Sequence, residues 1–179
     1  MANDNQAIKL LILDDSQNNA ERMVSLLRNA GHATRAHRVT SIEDLQECLQ
    51  QNWDICLAQT ETSYMTAEDA ITLIKRQSRD IPFILLKPEI DLEMRTEALR
   101  SGMTDAVPHD ADVLLTLIVD RELANLNARR QRRIVEQTLR EAEKRCQLLL
   151  DSSVDALAGI ELTLTLTLTL TLTLTLTLT

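Results

Sequence analysis

The chain has 179 residues, 44% of them hydrophobic and 26% charged, and a formal net charge of −8. Three glycines and three prolines exclude a collagenous or linker-dominated chain, and three aromatics, Trp53, Tyr64 and Phe83, leave no row of rings for stacking single-stranded nucleic acid. The charge is unevenly divided: residues 1–120 carry −9, residues 121–145 carry +4 and the remainder −3, and an acidic body disfavours duplex DNA, whose binding rests on phosphate neutralisation.

Short apolar runs alternate with amphipathic segments from Ile8 onward. Ile8 to Leu13 reads as a strand, and Ala20 to Ala30 as a helix with Met23, Val24, Leu26 and Leu27 at helical spacing before Gly31. Ala33 to Val39 is a second strand, followed by a helix beginning at Ser41 with Ile42, Leu45, Cys48 and Leu49 apolar. Trp53 to Ala58, Ile81 to Leu86 and Asp105 to Val107 are further strands, separated by helices over Ala67 to Gln77 and Leu92 to Arg100, the latter closed by Gly102. Five such strand–helix units predict an α/β fold with a parallel sheet covered on both faces.

From Ala111 to Leu150 there is neither Gly nor Pro, so one long helix is expected. Val113, Leu114, Leu117, Ile118, Leu123 and Leu126 are placed to pack on the sheet, whereas Val135, Leu139, Ala142, Cys146 and Leu149 follow a 4-3-4-3 spacing, the spacing of a coiled-coil seam. A linker helix packed within its own chain is the alternative. Arg129, Arg130, Arg132 and Arg133 form a basic patch that suits nucleic acid or anionic lipid, or a solvated helix face with Glu136–Arg140 and Glu141–Arg145 pairs. The face is the preferred reading, because the arginines spread around the helix and no aromatic accompanies them.

Cys48, Cys56 and Cys146 contain no C-x-x-C pair and the start of the chain has no signal-peptide apolar core, so reduced thiols and a cytoplasmic location are expected. His32, His37 and His109 show no ligand spacing with them, and neither a metal nor a cofactor is expected.

The sharpest local feature is Asp14-Asp15 directly after the first strand. In open α/β sheets ligands gather at the carboxyl ends of strands, and paired acids there suit a divalent cation. With LLILDD at 10–15, WDICLAQ at 53–59, IPFILLK at 81–87 and ALRSGMTDAVPHD at 98–110, the chain resembles the receiver (CheY-like) domains of response regulators over about residues 7–120. The resemblance implies a doubly wound five-stranded sheet in the order 2-1-3-4-5. It also implies an Asp phosphorylated at the end of the third strand, Mg²⁺ on the acidic pair, a Thr or Ser after the fourth strand and a Lys after the fifth.

Three of these positions depart from the family pattern: the acceptor position holds Gln59, the Thr/Ser position Lys87 and the Lys position His109. An amide cannot form an acyl phosphate, so the expectation is a degenerate receiver, not an enzyme, with Asp14 and Asp15 a vestigial pocket. A working phosphorelay receiver is the alternative. Lys87 is placed to pair with the two acids in lieu of the cation, or to lie solvated at a strand end. Glu61 offers a carboxylate near the pocket only if its loop folds inward, and Asp54 is expected to help end the preceding helix.

Residues 139–161 resemble the helical lead-in and first strand of a PAS domain, and the whole resembles the N-terminal region of receiver-PAS-GGDEF-EAL regulators of type IV pili and cyclic di-GMP. The expected divisions are a receiver over 7–120, a helical linker over 121–152, the start of a truncated PAS domain over 153–161 and a Leu-Thr tail over 162–179. The tail alternates as a cross-β strand would and has the length but not the apolarity of a membrane helix. A truncated or frame-shifted end is the preferred origin. The expected partner is a protein, a second copy through the receiver or the linker, with neither nucleic acid nor membrane; an adaptor acting through Arg129–Arg133 is the alternative.

Overall fold

The five parallel strands are β1 (Ile8–Leu13), β2 (Thr34–Val39), β3 (Ile55–Gln59), β4 (Phe83–Lys87) and β5 (Asp105–Pro108); the apolar runs of β1, β3 and β4 form the centre of the sheet and the more polar β2 and β5 its edges. The computed structural model describes residues 7–77 and 79–177, and of 151–158 and 172–177 the backbone alone. The sheet order is β2-β1-β3-β4-β5, so the chain reverses direction across the sheet between β1 and β3, whose carboxyl ends carry Asp14 and Gln59. Register is set by pairs such as Leu13 with Val39, Leu13 with Ala58, Gln59 with Leu86 and Lys87 with Pro108.

Strand alternation divides the core in two. Leu10, Ile12, Ile55, Leu57, Ile84, Leu86 and Val107 face one side, where they meet Ala20, Met23, Leu27, Leu115, Ile118 and Val119. Leu11, Leu13, Cys56, Ala58, Phe83, Leu85 and Ala106 face the other, against Leu45, Ala70, Ile71, Ile74 and Ala98. The first side is covered by α1 (Gln17–Asn29) and the start of α5 (Asp112–Thr177), the second by α2 (Ile42–Cys48), α3 (Ala67–Arg76) and α4 (Leu92–Ser101). Ser16, Ser41, Thr66 and Asp91 cap the first four helices, each accepting the backbone N–H three residues on.

Gly102 ends α4 at φ 87°, a left-handed conformation that a Cβ makes costly. A Cβ there would lie 1.8 Å from Lys75 Nζ, which donates to the Ser101 carbonyl at 2.9 Å. Gly102→Ala should therefore lower stability by about 1–2 kcal/mol, read as a reduced urea midpoint with an unchanged slope; an unchanged midpoint would contradict the strain.

The packing stripe of α5 is rotated from the expected one. Leu115, Ile118, Val119 and Leu126 are buried and Leu123 is half-buried, while Val113, Leu114 and Leu117 are exposed. The sheet selects the i, i+3, i+4, i+8, i+11 row beginning at Leu115. The residues divide into two units, 1–129 and 130–179, and the second is helical throughout its described length. Residues 153–161, where a first PAS strand was expected, are helix, and so is the Leu-Thr repeat through Thr177. A lone strand has no ladder partner, whereas a helix satisfies its own backbone and lets Thr165, Thr167 and Thr169 donate to carbonyls four residues back at 2.9 Å. Alternation at period two scatters leucines around a helix, and Leu162 through Leu170 are each exposed. No helix among the described residues is long and apolar enough to cross a membrane.

Candidate functional site

β1 ends at Leu13, and the chain turns through Asp14 and Asp15 into α1. Asp14 follows the alternation of Leu10 and Ile12, and Gln59 that of Ile55 and Leu57, so both aim at the α1/α5 side of the sheet. Gln59 Nε2 donates to Asp14 Oδ2 at 2.5 Å, and the Ser16 N–H donates to Asp14 Oδ1 at 2.7 Å. Asp14 is thereby 1% exposed with both oxygens partnered. Asp15 is exposed and accepts from Ser63, at 2.8 Å from its N–H and 3.0 Å from its hydroxyl. The guanidinium of Arg38 donates to the carbonyls of Asp14 and Asp15 at 3.2 and 3.5 Å, fixing the turn that presents the two acids.

Lys87 does not join them. It continues the alternation of Phe83 and Leu85, on the opposite face from Gln59. There it lines a cleft of about 280 Å³ with Glu61, Leu85, Met94, Glu97 and Met103. No ion pair among the described residues links Lys87 to Asp14 or Asp15, which corrects the expected internal pair: the Gln59 amide satisfies Asp14. His109 follows β5; its N–H donates to the Lys87 carbonyl at 2.8 Å, and its own carbonyl accepts from Arg22 at 2.5 Å. Glu61 forms a bridge with Thr66 rather than folding into the pocket. Asp54 holds β3 against β1 instead of ending a helix, accepting the Lys9 N–H at 2.8 Å and donating its own N–H to the Lys9 carbonyl at 2.9 Å.

A second polar centre was not anticipated. Asp105, 3% exposed at the start of β5, accepts from Arg95 of α4 at 2.9 and 3.1 Å and from Arg121 of α5 at 3.0 Å. Arg121 also donates to the buried Glu122 at 2.8 Å. Its guanidinium is held above its usual range, first by Glu122 and then by Asp105. An Asp in an otherwise apolar strand is the one sequence signal for this network.

Neither core thiol is placed to act as a nucleophile. Burial, then the Asp44 carboxylate, pushes Cys48 up to about 11, and burial alone raises Cys56 further. In the basic segment Arg129 is tied to Asp80 at 3.0 and 3.2 Å. The seam residues Val135, Leu139, Ala142, Cys146 and Leu149 are all exposed.

The fold matches solved signal receiver domains. That of an HD domain-containing protein from Pseudomonas fluorescens is 19% identical, with a TM-score of 0.61 over 74% of this chain and 98% of the other. This chain has the receiver fold. A fusion carrying the trimeric coiled coil of yeast Spc42 is 19% identical and matches with a TM-score of 0.60, over 81% of this chain and 97% of the other. In sequence, the chain is 27% identical over 140 residues to the phosphoglycerate transport system transcriptional regulatory protein PgtA of Salmonella typhimurium. That match takes in 75% of this chain and 33% of PgtA, so the chain spans about a third of the length of the curated relative it matches. No family model matches the chain. The acidic pair follows β1 at the carboxyl end of the sheet, Gln59 ends β3, Lys87 ends β4 and His109 follows β5.

Proposed function

We propose that the chain is a pseudo-receiver: a non-enzymatic, cytoplasmic signalling module that takes no phosphoryl group at the β3 terminus and works through contacts with other proteins. The observation that carries this reading is that all four carboxylate oxygens of Asp14 and Asp15 are already engaged by donors from the same chain, Gln59 and Ser16 on one and Ser63 on the other. A divalent cation would compete with those donors for the same oxygens, and the neutral amide of Gln59 offers it no charge in return. Transfer to the Gln59 amide would give no acyl phosphate. Calorimetric titration of Mg²⁺ into the full chain should show no saturable binding up to millimolar concentration; stoichiometric binding that Asp14→Asn abolishes would contradict the reading.

Output through self-association is the second part of the proposal. Val135, Leu139 and Leu149 are 63%, 58% and 70% exposed, which a seam requires before a partner helix covers it. Leu139→Glu should shift the full chain from dimer to monomer in sedimentation, and a parent chain that stays monomeric at every concentration would remove the seam. The tie between Arg129 and Asp80 favours a structural role for the basic segment over nucleic-acid or lipid binding. In the longer architecture that the sequence resembles, this unit stands at the front of a cyclic-di-GMP signalling protein, with residues 153–161 leading into a sensor domain.

A further inference from the structure

The sequence spacing of histidines and cysteines gives no ligand pattern, yet the fold brings three donors of different chemistry together. His37 lies on the edge strand β2, and Asp44 and Cys48 lie one turn apart on α2. His37 Nε2 is 2.9 Å from Asp44 Oδ1, and Cys48 Sγ is 3.6 Å from the same oxygen. The three donor atoms all lie within 4.8 Å of one another. Around a tetrahedral zinc, bond lengths of about 2.0–2.3 Å separate the ligand atoms by roughly 3.2–3.6 Å; the two contacts to Asp44 lie within tenths of an ångström of that spacing, and the His37–Cys48 pair, within 4.8 Å, closes by about an ångström at most as the ion binds.

We propose that His37, Asp44 and Cys48 form a zinc-binding site, with water as the fourth ligand. An imidazole, a carboxylate and a thiolate on one ion is a set that hard cations such as Mg²⁺ do not select and zinc does. The carboxylate is already oriented from behind: Asp44 Oδ2 accepts the Thr40 N–H at 2.9 Å and the Thr40 hydroxyl at 3.2 Å. This is the outer support that metal-bound carboxylates depend on. Side-chain exposure of 43% for His37 and 24% for Asp44 leaves an approach for the ion and room for its water, while Cys48, 7% exposed, closes the inner side. On binding, the Cys48 thiol releases its proton to solvent, and the metal replaces the hydrogen bonds that join the three side chains. The site shares no residue with the Asp14–Gln59 pocket and does not depend on the pseudo-receiver reading.

Cobalt is the probe, because it takes zinc sites and reports a bound thiolate by a charge-transfer band. The reduced full chain should take up one Co²⁺ with that band and with tetrahedral d–d absorption, and Zn²⁺ should bleach both. Cys48→Ser should abolish the charge-transfer band, and His37→Gln should weaken Co²⁺ binding tenfold or more. Cys146→Ser, which changes an exposed thiol, should leave the spectrum intact. Circular dichroism of each variant separates loss of the site from loss of the fold, and His37→Gln retains a polar side chain facing Asp44. The proposal is overturned if the parent chain shows no thiolate band at one equivalent, if the band survives in Cys48→Ser, or if it disappears in folded Cys146→Ser.

Discussion

Replacing Asp105 by Ala should cost roughly 2–3 kcal/mol of stability. The carboxylate is 4% exposed and joins Arg95 of α4 to Arg121 of α5 across β5. Breaking a buried ion pair ordinarily costs about 3–5 kcal/mol, because the surviving charge is stranded. Here the survivors are guanidiniums whose side chains are 42% and 52% exposed; they recover much of their hydration, which places the loss below that range. Arg95→Ala and Arg121→Ala should each cost about 1 kcal/mol or less, since either leaves Asp105 one partner. Chemical denaturation of the three variants tests the ordering, and an Asp105→Ala chain as stable as the parent would show that the network holds nothing together.

Gln59→Asp should lower stability by about 2–3 kcal/mol at neutral pH without divalent cations. The substitution removes the donor that now lies 2.5 Å from Asp14 Oδ2 and puts a second carboxylate against one that is 1% exposed. The shorter Asp side chain cannot donate to Asp14, and a second negative charge near a buried carboxylate is costly. Mg²⁺ should bind the variant and restore part of the loss, because three acids then converge on one point at the end of the sheet. A melting temperature that is unchanged in Gln59→Asp and insensitive to Mg²⁺ would mean that Gln59 does not close the pocket.

Much of the fold was legible because the central strands β1, β3 and β4 are buried on both faces and therefore read as continuous apolar runs, Leu10 to Leu13 and Phe83 to Leu86 above all. The same feature hid which face each strand end presents. The adjacency of Lys87 and the acidic pair in the resemblance suggested a contact, but alternation from Phe83 and Leu85 turns Lys87 to the other face. The stripe of α5 was misplaced because Val113 to Val119 is apolar at nearly every position, so periodicity alone does not choose a face. Arg95, Asp105 and Arg121 are separated by 10 and 16 residues, and no local pattern joins them. His37, Asp44 and Cys48 meet only because the turn between β2 and α2 folds one element over the other. The Leu-Thr repeat showed the limit of period-two reasoning, which names a strand only when another strand is present to pair with it.

Phosphoryl transfer itself is the most direct test of the pseudo-receiver. The full chain incubated with acetyl phosphate and Mg²⁺ should keep its unmodified mass when measured intact and without acid treatment. A stoichiometric phosphoryl adduct that hydroxylamine removes, the mark of an acyl phosphate, would contradict it.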